Sequence, residues 1–346
     1  MIFILLIYFG LVLFKSKITF KGTADYLSIE NTNCVKGIFI LMVFLSHFNS
    51  YIELDGRFDT IYSKFFFIIG QAMVTMFLFY SGYGIMESIK KKGNAYISTI
   101  PVKRVLGTLF RFDVAILLFF ILALIIKRPM TVANVLLSLI GWDSIGNSNW
   151  YIFVILVLYL VTFIVFKIMG TKKLWLPVAI TTLVILALVA LTAAFRLRDL
   201  YWYDTALCFA LGMIYSLYKE KITRVVNYNI FVWLAFVGVS FAAYLVLKDM
   251  GTLPYLFANL CFTMGFVILT MRWTFNNKIL KWSGEHLFEI YILQRIPMSI
   301  FKNLIPLSSY TYVYFLLCVA VTVILTIGFK FATDFIWKKL TTKKAA

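Results

Sequence analysis

The stretch NCVKGIFILMVFLSHFNSY, residues 33–51, decides the fold class of this chain. Its central residues, 38–45, are all apolar, and the polar side chains Lys36 and His47 flank them. A bilayer core of about 30 Å needs roughly 20 mostly apolar residues in one helix, and this stretch has that length. It therefore predicts a membrane-spanning helix.

The composition of the whole chain agrees with this prediction. Of 346 residues, 62% are hydrophobic and 14% are charged, and the mean hydropathy is +0.92. Soluble domains carry about 25% charged residues, so a soluble globular protein is excluded. In a membrane protein, the net charge of +18 reports loop sidedness rather than nucleic-acid binding. The four cysteines lie far apart in apolar runs without Cys-x-x-Cys spacing, so we expect no metal site.

Eleven apolar segments predict an all-α, polytopic transmembrane bundle of about 10–11 spans. The first segment is short and lacks both a preceding basic region and a small-residue cleavage site, which indicates an uncleaved anchor. We expect an N-terminal anchor and linker over residues 1–32 and a transmembrane domain over residues 33–340. Residues 132–142 are apolar but too short to span, so a re-entrant or interfacial helix is expected there. The predicted spans are 1–14, 34–52, 65–86, 105–126, 149–169, 174–195, 203–218, 228–247, 254–273, 287–304 and 310–332.

Basic residues alternate strictly between the loops on the two sides of these spans. One set of loops carries 23 Lys and Arg residues and the other carries 9. Because cytoplasmic loops are enriched in Lys and Arg, the first set and the C-terminus are predicted to be cytoplasmic. The excess of Lys over Arg, 24 to 9, favours a bacterial source and hence the bacterial plasma membrane. The predicted outer segments are 53–64, 127–148, 196–202, 248–253 and 303–309.

Polar side chains inside membrane spans are costly and mark candidate functional sites. Lys36 and His47 are eleven residues apart, so a helix places them on one face with about 16 Å between them. An imidazole is the best general base that such a stripe contains. The alternative interpretation is a lysine that extends to the cytoplasmic interface and a hydrogen-bonded interfacial histidine.

A basic cluster opens the fourth predicted span. Lys103 and Arg104 follow Pro101, and Arg111 lies seven residues after Arg104 on the same helix face. Such a cluster suits a phosphate-rich ligand, although a solvated cytoplasmic loop explains the same residues.

Other polar groups lie within or at the ends of spans. Ser81 belongs to a Ser-Gly-Tyr-Gly cluster that also favours close helix packing. Asn147, Asn149 and Trp150 fall at the outer interface, where amides suit sugar hydroxyls and tryptophan suits an aromatic belt. Late in the chain, polar residues interrupt the apolar stretch SGEHLFEIYILQRIP, and those with candidate roles are Glu289 and Gln294.

With these residues in place, the chain resembles the integral-membrane acyltransferase family 3. In that family a basic residue, ten intervening residues and a histidine occupy an early span, as Lys36 and His47 do here. The segments MFLFYSGYGIMES, KRVLGTLFR, NSNWYIFVILVLYL, YWYDTALCFALGMIYSLYKEKI and LFEIYILQ resemble family segments in the same order. The resemblance covers most of residues 33–305.

The resemblance implies a membrane O-acyltransferase. Members of the family transfer acyl groups, usually acetyl from acetyl-CoA, to cell-surface glycans and other acceptors, so acyl-CoA, a glycan and the lipid bilayer are the expected partners, without nucleic acid. By this resemblance His47 is catalytic, either as a general base or as an acyl carrier. From their position near the outer end of the span, Glu53 and Asp55 are candidates to orient it, although solvation of the loop explains these carboxylates equally well. The expected CoA-binding residues are Lys36, Lys103, Arg104 and Arg111. The expected substrate-binding residues are Ser81, Asn147, Asn149, Trp150, Glu289 and Gln294.

Three positions depart from the family pattern. Lys36 replaces the usual arginine, Gly107 stands where a basic residue is common, and Gln294 stands where a second histidine is frequent. Arg111, one turn beyond Gly107, is a candidate to replace the missing charge. Lys36 and Gln294 favour the alternative of a catalytically inactive relative. A transporter of glycans or lipid-linked saccharides is another alternative, because polar stripes in a helical bundle also form permeation paths.

Overall fold

The computed structural model describes residues 1–23, 25–54, 56–305 and 310–342. Within these ranges the chain forms sixteen α-helices and one two-stranded ribbon. The first eight helices are α1 (Ile2–Leu13), α2 (Ile29–Asn49), α3 (Asp59–Ile69), α4 (Ala72–Lys92), α5 (Asn94–Ile97), α6 (Gly107–Ile125), α7 (Val132–Leu139) and α8 (Trp150–Met169). The others are α9 (Trp175–Ala194), α10 (Leu207–Val226), α11 (Ile230–Leu247), α12 (Thr252–Thr270), α13 (Lys278–Glu285), α14 (Leu287–Leu293), α15 (Arg295–Asn303) and α16 (Thr311–Thr342).

The predicted all-α transmembrane bundle is confirmed. Among the described residues, eight helical segments are long and apolar enough to cross a membrane. The three remaining predicted spans correspond to the short helix α1, to α10, which ends in a charged turn, and to the interrupted series α13–α15. The eight segments are Ile29–Asn49, Asp59–Lys92, Asn94–Ile125, Trp150–Met169, Trp175–Ala194, Ile230–Leu247, Thr252–Thr270 and Thr311–Thr342.

The span predicted at 65–86 is divided by a sharp break. Gly70 adopts a φ of 47°, a conformation that favours glycine, and separates α3 from α4. The break leaves backbone carbonyls without helical partners, which is costly inside a membrane. The Tyr244 hydroxyl lies 2.5 Å from the carbonyl of Ile68 and 2.9 Å from that of Ile69, and it donates to this pair. A neighbouring helix thus compensates for the break.

The span predicted at 287–304 also differs in the structure. Its helical series starts at Lys278, nine residues earlier, and is interrupted at His286 and at Gln294. The first part, α13, packs tightly against α2, because the Cα of Gly284 faces the backbone carbonyl of Asn33. The interruptions matter for the site, since Tyr291 and Arg295 lie on different sides of the second one.

Small residues also bring α4 and α10 together. A Cβ at Gly82 would collide with the carbonyl of Phe209, and one at Gly212 would collide with the carbonyl of Phe79. Such close approach is the typical role of small residues between membrane helices. The packing interpretation of the Ser81–Gly84 cluster is therefore confirmed for Gly82.

Two short elements complete the fold. The predicted short helix after residue 131 is present as α7, which has eight residues and begins with a capping box between Thr131 and Asn134. The strands β1 (Ser16–Ile18) and β2 (Trp273–Phe275) pair antiparallel, so the segment after α1 is tied to the end of α12.

Candidate active site

Two of the cavities in the bundle contain predicted site residues. The first, here called the histidine cavity, has a volume of about 400 Å³. It is formed by the end of α2, the start of α4, the loop before α8, and parts of α14 and α15. Its lining residues are Val43, Ser46, His47, Gln71, Met73, Val74, Ser144, Asn147, Ser148, Asn149, Trp150, Tyr201, Tyr291 and Arg295.

The second cavity, here called the basic cavity, has a volume of about 350 Å³. It is formed by the middle of α4, the start of α6, the first turns of α8, the region around α14 and the second half of α16. Its lining residues are Ser81, Lys103, Arg104, Thr108, Arg111, Tyr151, Ile152, Ile155, Tyr159, Glu285, Leu287, Phe288, Glu289, Lys330 and Asp334.

A pair of buried tyrosines stands between the two cavities. Tyr291 lines the histidine cavity and Tyr151 lines the basic cavity. Their ring centroids are 5.3 Å apart in an edge-to-face arrangement, which is a favourable aromatic contact. The exposed fractions of the two residues are only 2% and 6%. We call these two residues the tyrosine pair.

His47 faces the tyrosine pair from α2. Its ring centroid lies 6.0 Å from that of Tyr291. The Nδ1 atom is buried and has no hydrogen-bond partner among the described residues. Glu53, one candidate to orient the imidazole, is exposed, and no described carboxylate lines the histidine cavity. Asp55, the other candidate, lies outside the described residues.

Lys36 lies on the same uninterrupted helix as His47. Because α2 has no break between them, the predicted shared face and the separation of about 16 Å follow from regular helix geometry. The Lys36 ammonium donates to Asn33 Oδ1 at 3.3 Å and lies 5.8 Å from the centre of the Tyr80 ring. It lines neither cavity, but it is within electrostatic range of Arg104 in the basic cavity.

The sequence after Pro101 forms a wider helical turn than α6. Residues Pro101–Leu106 are π-helical, and the Gly107 amide donates to the carbonyl of Val102, five residues earlier. Such turns are rare and occur frequently at functional sites. The turn carries Lys103 and Arg104 on the wall of the basic cavity, where Arg104 Nε donates to the Tyr96 hydroxyl at 3.3 Å.

Arg111 reaches back over Gly107. Its Nη1 donates to the Gly107 carbonyl at 3.0 Å, and a Cβ on Gly107 would lie 3.5 Å from that nitrogen. The guanidinium thus lies beside Gly107, the position at which Arg111 was expected to supply the charge.

Carboxylates share the basic cavity with these cations. Asp334 accepts from Arg111 Nη2 at 2.7 Å, and its other oxygen lies 3.8 Å from Lys330. Glu289 lies 3.7 Å from the same lysine. The cations of this cavity are therefore partly neutralised by protein groups.

The other predicted substrate residues divide between the two cavities. Asn147, Asn149 and Trp150 line the histidine cavity, whereas Ser81 and Glu289 line the basic cavity. The Asn147 side-chain oxygen accepts from the amide of Ile145 at 3.0 Å and so also shapes its own loop.

Gln294 and His286 lie outside both cavity walls. Gln294 is completely buried, and its Nε2 donates to the Tyr291 carbonyl at 3.2 Å. Gln294 therefore contacts Tyr291, a member of the tyrosine pair, and does not line a cavity. The ring of His286 stacks on Trp282.

Sequence reasoning gave no site role to Tyr291, Lys330, Asp334 and Arg295, and it assigned Tyr151 to the aromatic belt at the outer interface. The chain has 20 tyrosines, so neither member of the tyrosine pair stands out by type. Arg295 had a usable signal, because an arginine in an apolar predicted span is rare.

A comparison with known proteins agrees with this architecture. The family model described as an acyltransferase domain, that of acyltransferase family 3, matches residues 29–330. No curated protein and no solved structure matches the chain significantly. The matched residues run from the start of α2 into α16 and contain His47, the tyrosine pair and the basic residues of the second cavity. The chain is thus a multi-pass membrane protein that belongs to the integral-membrane acyltransferase family 3.

Proposed function

We propose that this protein is a membrane O-acyltransferase that transfers an acetyl group from cytoplasmic acetyl-CoA to a hydroxyl of an extracytoplasmic glycan or related surface acceptor. One observation carries the proposal. A cavity with a histidine and a cavity with four phosphate-compatible cations, those of Lys103, Arg104, Arg111 and Lys330, meet at a single tyrosine pair inside an acyltransferase domain.

The donor is assigned to the basic cavity. Lys103, Arg104 and Arg111 are suitable donors of charge-assisted hydrogen bonds to the phosphates of CoA. The extended pantetheine arm then follows α2 toward His47, over a distance comparable with the 16 Å or so that separates Lys36 from His47. To arrive there, the thioester passes between Tyr151 and Tyr291, whose rings must separate.

The acceptor is assigned to the histidine cavity. Unprotonated His47 accepts the proton of an acceptor hydroxyl while the hydroxyl oxygen attacks the thioester carbonyl. Collapse of the tetrahedral intermediate breaks the carbon–sulfur bond, and the CoA thiolate leaves and takes up the proton that His47 accepted. The products are the acetyl ester and CoA. Side chains such as Asn149 and Trp150 supply polar and stacking contacts of the kind that sugars use.

The release of CoA from acetyl-CoA by the purified protein in lipid nanodiscs tests this function. The expected result is thiol release that depends on His47 and rises when extracted surface glycans are added. A transporter or an inactive relative would release no thiol above the rate of the lipid discs alone, and that result would overturn the proposal.

The sidedness of the two substrates leads to a labelling prediction. Cysteines are introduced at the exposed residues Ala95 and Arg57 in a background without the four native cysteines. Arg57 is exposed, whereas the neighbouring Asp59 side chain is only 13% exposed and contacts the Met1 nitrogen. An impermeant maleimide should label position 57 and spare position 95 in intact cells, because the loop near residue 95 is basic. The reverse pattern would invert the assigned topology.

The ion pair inside the basic cavity leads to a prediction of tighter binding. Asp334→Asn removes the carboxylate that holds Arg111 and repels phosphates. Because the pair is partly exposed and such pairs are worth up to about 1 kcal/mol, CoA affinity should rise by up to about fivefold. Calorimetric titration with CoA measures this change, and Asp249→Asn, which alters an exposed carboxylate outside both cavities, is the control. A lower affinity in Asp334→Asn would show that the carboxylate positions Arg111 for the phosphates.

A further inference from the structure

Arg295 is the cation of the histidine cavity. It lies at the start of α15, one helical turn after Tyr291, and both residues line the cavity wall. Its Nε atom is buried without a hydrogen-bond partner, and the guanidinium forms no ion pair within the described part of the chain. It lies within electrostatic range of His47 and of Tyr291.

The histidine cavity differs in charge from the basic cavity. Three carboxylates, those of Glu285, Glu289 and Asp334, line the basic cavity together with its cations. No described carboxylate lines the histidine cavity, whose other polar groups are hydroxyls, amides, an imidazole and an indole. The positive charge of Arg295 is therefore not balanced by the described residues around it.

Arg295 is partly buried, and a guanidinium that loses part of its hydration gains by pairing with an anion or with several acceptors. The acetyl group of the donor is neutral, and the phosphates of CoA are assigned to the other side of the tyrosine pair. An anion that pairs with Arg295 therefore enters with the acceptor. Guanidinium groups bind carboxylates and phosphates through two parallel hydrogen bonds, which also fixes the orientation of the bound group.

We propose that the acceptor of this protein is anionic and carries a carboxylate or a phosphate near the hydroxyl that is acylated. Arg295 binds this anion and so turns the hydroxyl toward His47. The inference rests on the proposed function, because it names the class of acceptor for the same site. Acidic sugars and sugar phosphates share the required chemistry.

The test measures occupancy of the histidine cavity independently of turnover. The chain has two histidines, so in the His286→Ala protein the carbethoxylation of histidine by diethyl pyrocarbonate reports on His47 alone. Glucose, glucuronate and glucose 6-phosphate serve as probes at equal ionic strength. We expect the two anionic probes to slow the modification of His47 at concentrations at least tenfold below those at which glucose slows it. The ratio of the protective concentrations of glucuronate and glucose 6-phosphate then shows whether the site prefers a carboxylate or a phosphate.

In the same background, Arg295→Gln should abolish the difference in protective concentration between the anionic probes and glucose, whereas Arg295→Lys should retain part of this difference. Arg57→Gln, which removes an exposed arginine outside the cavity, should behave like the parent. The proposal is overturned if the three probes act equally, if none of them protects, or if the reagent does not reach His47. It is also overturned if Arg295→Gln leaves this difference intact. A protein that binds anionic probes but releases no CoA would refute the proposed function alone.

Discussion

Replacement of His47 by alanine is expected to abolish acetyl transfer while leaving the protein folded in the membrane. A positioned general base contributes about 10²- to 10⁴-fold to a rate, and no other described group of the histidine cavity has a suitable proton affinity near neutral pH. Thiol release from acetyl-CoA by the purified variant measures the loss. Size-exclusion elution in detergent shows whether the variant still folds.

The other histidine provides a matched control for this result. His286 stacks on Trp282 and lines neither cavity, so His286→Ala should transfer acetyl at close to the parent rate. A His47→Ala protein that still transfers acetyl at the parent rate would remove His47 from the mechanism. Equal losses in the two variants would instead indicate a general effect on folding.

Replacement of Arg104 by alanine is expected to weaken CoA binding by roughly tenfold or more, because charge-assisted hydrogen bonds are worth about 1.5–3 kcal/mol. The effect should fall on CoA affinity more than on the rate at saturating donor, since Arg104 lies in the basic cavity and not beside His47. Calorimetry with CoA and saturation kinetics with acetyl-CoA measure the two quantities separately.

Lys92 is the control for Arg104. It is an exposed cation at the end of α4 and lines neither cavity, so Lys92→Ala should leave CoA affinity unchanged. Unchanged affinity in Arg104→Ala as well would leave the basic residues of this region as determinants of topology only.

Much of the fold could be predicted because membrane spans are encoded locally. Apolar length alone predicts the helices, and regular helix geometry alone predicts that Lys36 and His47 share a face of α2. The breaks were harder to predict. The break at Gly70 depends on a hydroxyl from α11, a helix distant in sequence, and nothing near residue 70 encodes that partner.

The same limit applies to the site. The tyrosine pair joins α8 and α14, and the Arg111–Asp334 ion pair joins α6 and α16. Both contacts link residues more than a hundred positions apart, and the pattern of hydrophobic residues along the chain carries no information about which helices become neighbours. Residue types at the ends of spans indicated the candidate site residues. Their division between two cavities can be seen only in the tertiary structure.

We propose that donor and acceptor enter from opposite sides of the membrane and react at His47. Inverted membrane vesicles from cells that express the protein test it most directly, with radiolabelled acetyl-CoA supplied only to the outer medium, which corresponds to the cytoplasmic side. We predict that label appears in glycans inside the vesicles with the parent protein and that His47→Ala gives none above vesicles without the protein. Label confined to acceptors on the acetyl-CoA side, or equal labelling by the parent and by His47→Ala, would contradict the claim.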